Sequence, residues 1–308
     1  MGKGRNMSTS LPDIGNIATA RIDGLAIRYA HSGKSEGMPV LLTSPWPESI
    51  FAFRGILPAI ENLHPLIAVD LPGFGRSDGR PDLMSPEAMG DFVIKLAQYF
   101  GIARVHAVGP DVGTLALLFA AVRRPELFES IIVGSGATSP ELAAGGLQHV
   151  IGSPAGSFDE VEGGALAVRF VVESAAIATP DAVLDDYRLS SAGRRFEEAA
   201  NFVRAYSRDL PRLQALLPDI ATPVLVLAGR DDPIVPPSNG ELLAEHLPRC
   251  RHELLEGGHL IWEDAADAYG AQLADWLGGG YRSVRWKARI RGRGPAHGTS
   301  AQDPTHAS

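Results

Sequence analysis

The stretch His106-Ala-Val-Gly109-Pro-Asp111-Val-Gly113, running on into Thr114–Arg124, decides the fold. An apolar run, Val105–Val108, stops at a glycine; an acid stands two positions on; a second glycine opens a helical pattern. That is the shape of a nucleophile elbow, in which the attacking residue sits on a sharp strand-to-helix turn. So tight a turn needs Gly109 and Gly113 where neighbouring backbone comes close. The helix behind it aims free N–H groups and the positive end of its dipole at the turn. This favours an ionised carboxylate at Asp111 and leaves donors for an oxyanion. Aspartate is also a favoured helix N-cap, so the segment alone leaves both roles open.

Working outward, further apolar and β-branched runs recur at Leu25–Ala30, Val40–Leu42, Leu66–Val69, Ile131–Val133 and Val224–Leu227. Helical patterns at Ser85–Phe100, Gly113–Arg124 and Ala265–Leu277 separate them, which predicts a mostly parallel sheet with helices on both faces. Asp23-Gly24 joins Ile17–Ile22 to Leu25–Ala30 as a tight hairpin, so the sheet starts antiparallel. From 139 to 219 only helical or irregular segments occur. Such an insertion between strands is expected to form a cap over the carboxyl ends of the sheet, where open α/β sheets bind ligands; a separate small domain is the alternative. The expected organisation is a flexible N-terminus at 1–14, a core at 15–138 and 220–279, a cap at 139–219, and a disordered basic tail at 280–308.

The 308 residues, 45% hydrophobic and 21% charged, suffice for one large core. The formal charge is −8, and six of the 28 Lys/Arg but one of the 36 Asp/Glu lie beyond 279, so the body is more acidic than the total. That argues against nucleic acid or an anionic membrane as partner. A lone cysteine, Cys250, rules out a disulfide within the chain. With no signal-peptide pattern and no long apolar run, a cytoplasmic location is expected. The sequence leaves a homodimer open.

Two serines also match G-x-S-x-G literally, at Gly33-Lys-Ser35-Glu-Gly37 and Gly75-Arg-Ser77-Asp-Gly79. Neither lies between a strand and a helix; only Asp111 does. An acid and a histidine follow in order, each just past a strand: Asp232 in Gly229-Arg-Asp-Asp232-Pro-Ile-Val-Pro, and His259 in Glu256-Gly-Gly-His259 after the run Arg251–Leu255. Asp232 is preferred to Asp231 because it directly precedes the Pro-Ile-Val-Pro turn. Nucleophile, acid and histidine in this order are what the elbow arrangement requires. Metal-ligand spacings and a dinucleotide-binding glycine pattern are missing from the sequence, so no metal and no cofactor is expected.

From Ile17 to Leu277 the chain resembles the α/β-hydrolase superfamily, and within it the aspartate-nucleophile branch of epoxide hydrolases and haloalkane dehalogenases. The resemblance rests on the Asp111 elbow, Asp70-Leu-Pro-Gly-Phe-Gly-Arg-Ser77, Asp232, Gly257-Gly-His259 and Ser44-Pro-Trp46-Pro-Glu48-Ser49. It implies an α/β-hydrolase fold with a helical cap, and an oxyanion hole from the N–H groups of Trp46 and Val112. It implies a covalent alkyl ester on Asp111, hydrolysed by water that His259 and Asp232 activate. The substrate would be a small apolar electrophile, an epoxide first and an alkyl halide as the alternative. Epoxide hydrolases use two cap tyrosines, and the segment 139–219 offers Tyr187 and Tyr206. Val203, in Asn201-Phe-Val203-Arg204, stands where that branch has a tyrosine, so it too is a candidate substrate contact. Other departures are Ser44 and Pro45 for His-Gly, Pro110 for a histidine, and Val112 for a frequent tryptophan. A non-catalytic binding protein on the same fold is the alternative of another class.

Overall fold

The computed structural model describes residues 11–287. Eight strands form one sheet: β1 (Asn16–Ile22), β2 (Leu25–His31), β3 (Val40–Thr43), β4 (Leu66–Val69), β5 (Val105–Pro110), β6 (Phe128–Gly134), β7 (Val224–Gly229) and β8 (Cys250–Leu255). Their order is β1-β2-β4-β3-β5-β6-β7-β8. β1 and β2 pair antiparallel through Asp23 and Gly24, both at positive φ, as a two-residue hairpin turn demands. β2 meets β4 antiparallel, and every pairing from β4 to β8 is parallel.

Side-chain alternation along the parallel strands assigns two cores. Leu41, Val105, Ala107, Val224 and Val226 pack on one face with α2 (Pro86–Tyr99) and α3 (Val112–Arg123). Val40, Leu42, Val108, Leu225 and Leu227 pack on the other with α1 (Leu57–Ile60), α10 (Ile261–Asp264) and α11 (Ala266–Leu277), around Trp262 and Trp276. Burial on both faces explains why these strands read as unbroken apolar runs. α2 begins where its sequence signals: the Ser85 hydroxyl accepts the Ala88 N–H, with Pro86 at the first helical position.

Between β6 and β7 the chain forms five helices: α4 (Gly145–Gly152), α5 (Gly163–Ser174), α6 (Asp181–Ser190), α7 (Arg195–Arg204) and α8 (Tyr206–Leu216). A buried ion pair ties α6 to the sheet. Arg28 of β2 donates to both carboxylate oxygens of Asp186, at 2.7 and 2.9 Å, and its Nε donates to Asp70. A ninth helix, α9 (Ser238–His246), joins β7 to β8. The segment expected to begin the tail is ordered at first: Gly280–Ser283 form a 3-10 turn, and the Lys287 N–H bonds Pro248. Tyr281 is buried there, and the Arg249 guanidinium lies over the exposed ring of Trp286. Residues 1–10 and 288–308 lie outside the described part. Among the described residues, no helix is long and apolar enough to cross a membrane.

Candidate active site

The sheet order itself locates a crevice. From β3 the chain moves outward to β4, then returns to place β5 on the opposite side of β3. At such a switch point the loops leaving the two strands diverge and leave room for a ligand. Trp46 follows β3 and Asp111 follows β5, while Asp232 and His259 follow β7 and β8.

Asp111 has φ 52° and ψ −121°, a backbone conformation that a non-glycine residue holds only at a cost of about 1–3 kcal/mol. Its surroundings fix it there. Its N–H donates to Gly134 O at 2.9 Å, and its carbonyl accepts from Thr114 N–H at 3.0 Å. The Thr114 hydroxyl accepts the Gly134 N–H and donates to one of the nearby carbonyls of Gly109 and Gly134, a brace that sequence reading did not single out. The flanking glycines are required sterically: a Cβ on Gly113 would lie 2.3 Å from the Thr43 hydroxyl, and one on Gly109 would lie 2.7 Å from it.

The Asp111 carboxylate directly reaches the Trp46 N–H, one of the two expected oxyanion donors. Its Oδ2 accepts the Trp46 N–H at 2.8 Å, and the Val112 N–H, the first of α3, acts on the same carboxyl. His259 Nδ1 lies 2.8 Å from Asp232 Oδ2. Asp232 Oδ1 is held by the N–H groups of Ile234 and Val235 at 2.9 and 2.8 Å, the turn that follows it in sequence. Burial raises the Asp111 carboxyl above its ordinary value, opposed by His259 and the two N–H donors. For His259 burial acts downward, but the Asp232 hydrogen bond and the charges of Asp232 and Asp111 outweigh it, so its value rises. Removing the charge on Asp111 therefore makes His259 a weaker proton holder.

A cavity of about 310 Å³ opens over these groups. Trp46, Leu147, Val150, Leu166, Phe170 and Phe196 supply most of its apolar wall, and Asp111 and His259 are the ionisable residues lining it. The amphipathic patterns of α4 and α5 could have signalled this wall, but not which helix face meets the sheet. Trp46 packs on Phe196 with ring centres 5.1 Å apart. Its indole N–H is buried without a partner among the described residues.

The two tyrosines part company. Tyr206, at the start of α8, is buried in the first core and is absent from the cavity lining, but burial, then the charge of Asp111, holds its phenol well above the ordinary value. Tyr187 does not line the cavity, which corrects its expected place at the substrate. Its hydroxyl donates to Glu263 Oε1 at 2.6 Å, and Arg54 donates to it at 3.2 Å. Residue 187 lies on the α6 face turned into the second core, where a phenol needs a buried acceptor. Val203 is likewise corrected: it is buried in the first core with Phe202 and Leu210, and it does not line the cavity. The two serine matches lie elsewhere, Ser35 on an exposed loop and Ser77 buried with its hydroxyl donating to Asp70 O.

Residues 40–272 match the model of a family described as the alpha/beta hydrolase family. A haloalkane dehalogenase of Bradyrhizobium diazoefficiens is 26% identical over 298 residues, covering 85% of this chain and 94% of that protein. A putative carbamate hydrolase, RutD, of Pseudomonas savastanoi is 32% identical over 209 residues, covering 66% and 79%. The crystal structure of the haloalkane dehalogenase DbeA of Bradyrhizobium elkani superposes with a TM-score of 0.75 at 22% identity, covering 87% of this chain and 98% of that one. With the elbow, the strand order and a family match over most of its length, this chain belongs to the alpha/beta hydrolase family.

Proposed function

We propose that the protein hydrolyses small uncharged electrophiles through a covalent alkyl ester on Asp111. The hydrogen bond from the Trp46 N–H to Asp111 Oδ2 carries this reading. With Oδ2 already among the oxyanion donors, Oδ1 is free to attack an sp³ carbon and expel its leaving group. In the ester so formed, Oδ2 is the carbonyl oxygen. When water attacks Cγ, the negative charge develops on Oδ2, where the Trp46 N–H already points and near which the Val112 N–H acts on the carboxyl. One such donor contributes on the order of 3 kcal/mol.

Esterification also removes the charge on Asp111 that helps keep His259 protonated, and so prepares the imidazole as a base for the second step. His259 takes a proton from water, hydroxide adds to Cγ, and the tetrahedral species collapses. His259 returns its proton to the released alkoxide, and Asp111, left as a carboxylic acid with one oxygen from water, regains its charge by releasing that proton to solvent. A serine esterase places the substrate's own carbonyl in the hole; here the enzyme's oxygen occupies it. The apolar wall suits a substrate without charge and limits water to the second step.

The leaving group distinguishes two versions. Epoxide opening calls for two hydroxyl donors; Tyr187 is bound to Glu263, and Tyr206 feels the charge of Asp111 but does not line the cavity. Carbon–halogen cleavage needs no proton for its leaving group, and Trp46, which lines the cavity, has a buried indole N–H without a partner among the described residues, a donor of the kind a halide accepts once the ring exposes it. The geometry therefore favours an alkyl halide, with an epoxide as second reading on the strength of Tyr206. Acid-quenched single turnovers in ¹⁸O-water, followed by mass spectrometry, test the shared chemistry: label should enter Asp111, whereas label found first in product sinks it. Halide release against diol formation on short-chain substrates then separates the two versions.

A further inference from the structure

Beneath the Trp46–Pro47 loop lies a second set of ionisable groups that the reaction does not use. Glu48 and Glu263 are both buried, and Glu48 meets α10 at Trp262, the residue next to Glu263. Glu263 is fully engaged: Oε1 accepts from Arg54 at 2.7 Å and Tyr187 at 2.6 Å, and Oε2 accepts from Arg54 at 2.7 Å. Glu48 Oε1 accepts the Trp262 indole N–H at 3.0 Å, while Oε2 is buried with no donor among the described residues.

The groups facing this pair can be counted by element. Arg54, just past the 3-10 turn Ile50–Phe53, is the one cation among the described residues. Tyr187 comes from α6, and Thr179 approaches Glu263 at 3.5 Å. α10 supplies Trp262 and Glu263, with Asp264 turned toward the N–H groups of Ala176 and Ile177. The nucleophile Asp111 acts on Glu48 through its charge. Two carboxylates against one guanidinium would leave an uncompensated charge in the interior, which costs several kcal/mol.

We propose that Glu48 and Glu263 share one proton, carried on Glu48 Oε2, which keeps this cluster neutral beneath the nucleophile. Glu48 is then a positioning residue. Its neutral carboxyl anchors Trp262, whose ring stands edge-on to His259 at 5.7 Å, and it adds no negative charge where the second step builds an oxyanion on Asp111. Burial, then repulsion from Glu263, holds Glu48 well above its ordinary value, in keeping with a retained proton. The proton itself stands apart from the reaction proposed above; its effect on turnover rests on that reaction.

Infrared spectroscopy of the whole chain with ¹³C-labelled glutamate tests the proton without any substrate. A protonated-carboxyl C=O band should persist at neutral pH, where a free glutamate is ionised, and should be lost in Glu48→Gln. If no such band is seen at neutral pH in the wild type, the shared proton is refuted whether or not the variant folds. Because folding raises this group's proton affinity, its stabilisation is complete below the unfolded value near 4.5 and is lost as pH rises toward the folded value. Glu48→Gln should thus melt at least about 3 °C above wild type in alkaline buffer and converge with it in acid. Parallel melting curves across pH overturn the proposal. Once the Asp111 adduct is established, an alkaline fall in kcat that Glu48→Gln moves upward supports the positioning role; an unmoved fall overturns that role alone.

Discussion

Asp111 holds an unfavourable backbone conformation and a buried charge at the same position, and both follow from what the residue must reach. The positive φ turns its carboxylate toward the Trp46 and Val112 N–H groups, and the helix behind it compensates the charge. Replacing Asp111 with Asn should lower single-turnover ester formation by on the order of 10³-fold or more, with the melting temperature little changed. His259→Asn should instead leave the first step intact and let the ester accumulate, seen as a mass increase on the intact protein. Absence of an accumulating adduct in that variant argues against the two-step route. Tyr206→Phe gauges the leaving group: a loss near 10²-fold in kcat/KM with an epoxide, against little change with an alkyl halide, marks its hydroxyl as a donor to alkoxide.

Between elements, steric fit and buried charge hold the site together. β3 and α3 approach so closely that the Cβ of Gly113→Ala would overlap the Thr43 hydroxyl, an overpacking expected to cost about 1–3 kcal/mol in urea unfolding. The inserted helices are anchored by the Arg28–Asp186 pair, in which Asp186 also accepts from Ser49 at 2.6 Å. Asp186→Ala leaves the buried Arg28 with less compensation and should destabilise by about 3–5 kcal/mol. A joint Arg28→Met, Asp186→Leu change should recover much of that loss. If the single change proves neutral in unfolding, α6 is held by its apolar contacts alone.

For the molecule as a whole, a buried histidine couples stability to pH. His106 lies in β5 with Nδ1 2.8 Å from the Ser130 hydroxyl and its ring edge-on to His64 and Tyr281. Burial, with His64 nearby, pushes it down from 6.5 to about 4. A value depressed by folding means the stabilisation is present above pH 6.5 and is lost as pH falls toward 4. Urea midpoints should decline across that window in wild type and decline less in His106→Gln. Equal slopes would assign the acid sensitivity to other groups.

Local pattern was enough for the sheet, the elbow and the order of Asp111, Asp232 and His259, because strand periodicity, paired glycines and turn chemistry act over a few residues of chain. The preference for Asp232 over Asp231 was legible for the same reason: Ile234 and Val235, two and three positions on, hold its other oxygen. Tyr187, Val203 and Glu48 were not legible. Which face of α6 or α7 meets the cavity depends on how the inserted helices dock, and that is set by long-range pairs such as Arg28 with Asp186, 158 residues apart. The cluster of Glu48 and Glu263 likewise joins residues from opposite ends of the chain. Sequence alone determined that a carboxylate stands on the elbow. Tertiary structure decided that Tyr187 does not accompany it, because a buried hydroxyl goes to the acceptor that folding brings within reach.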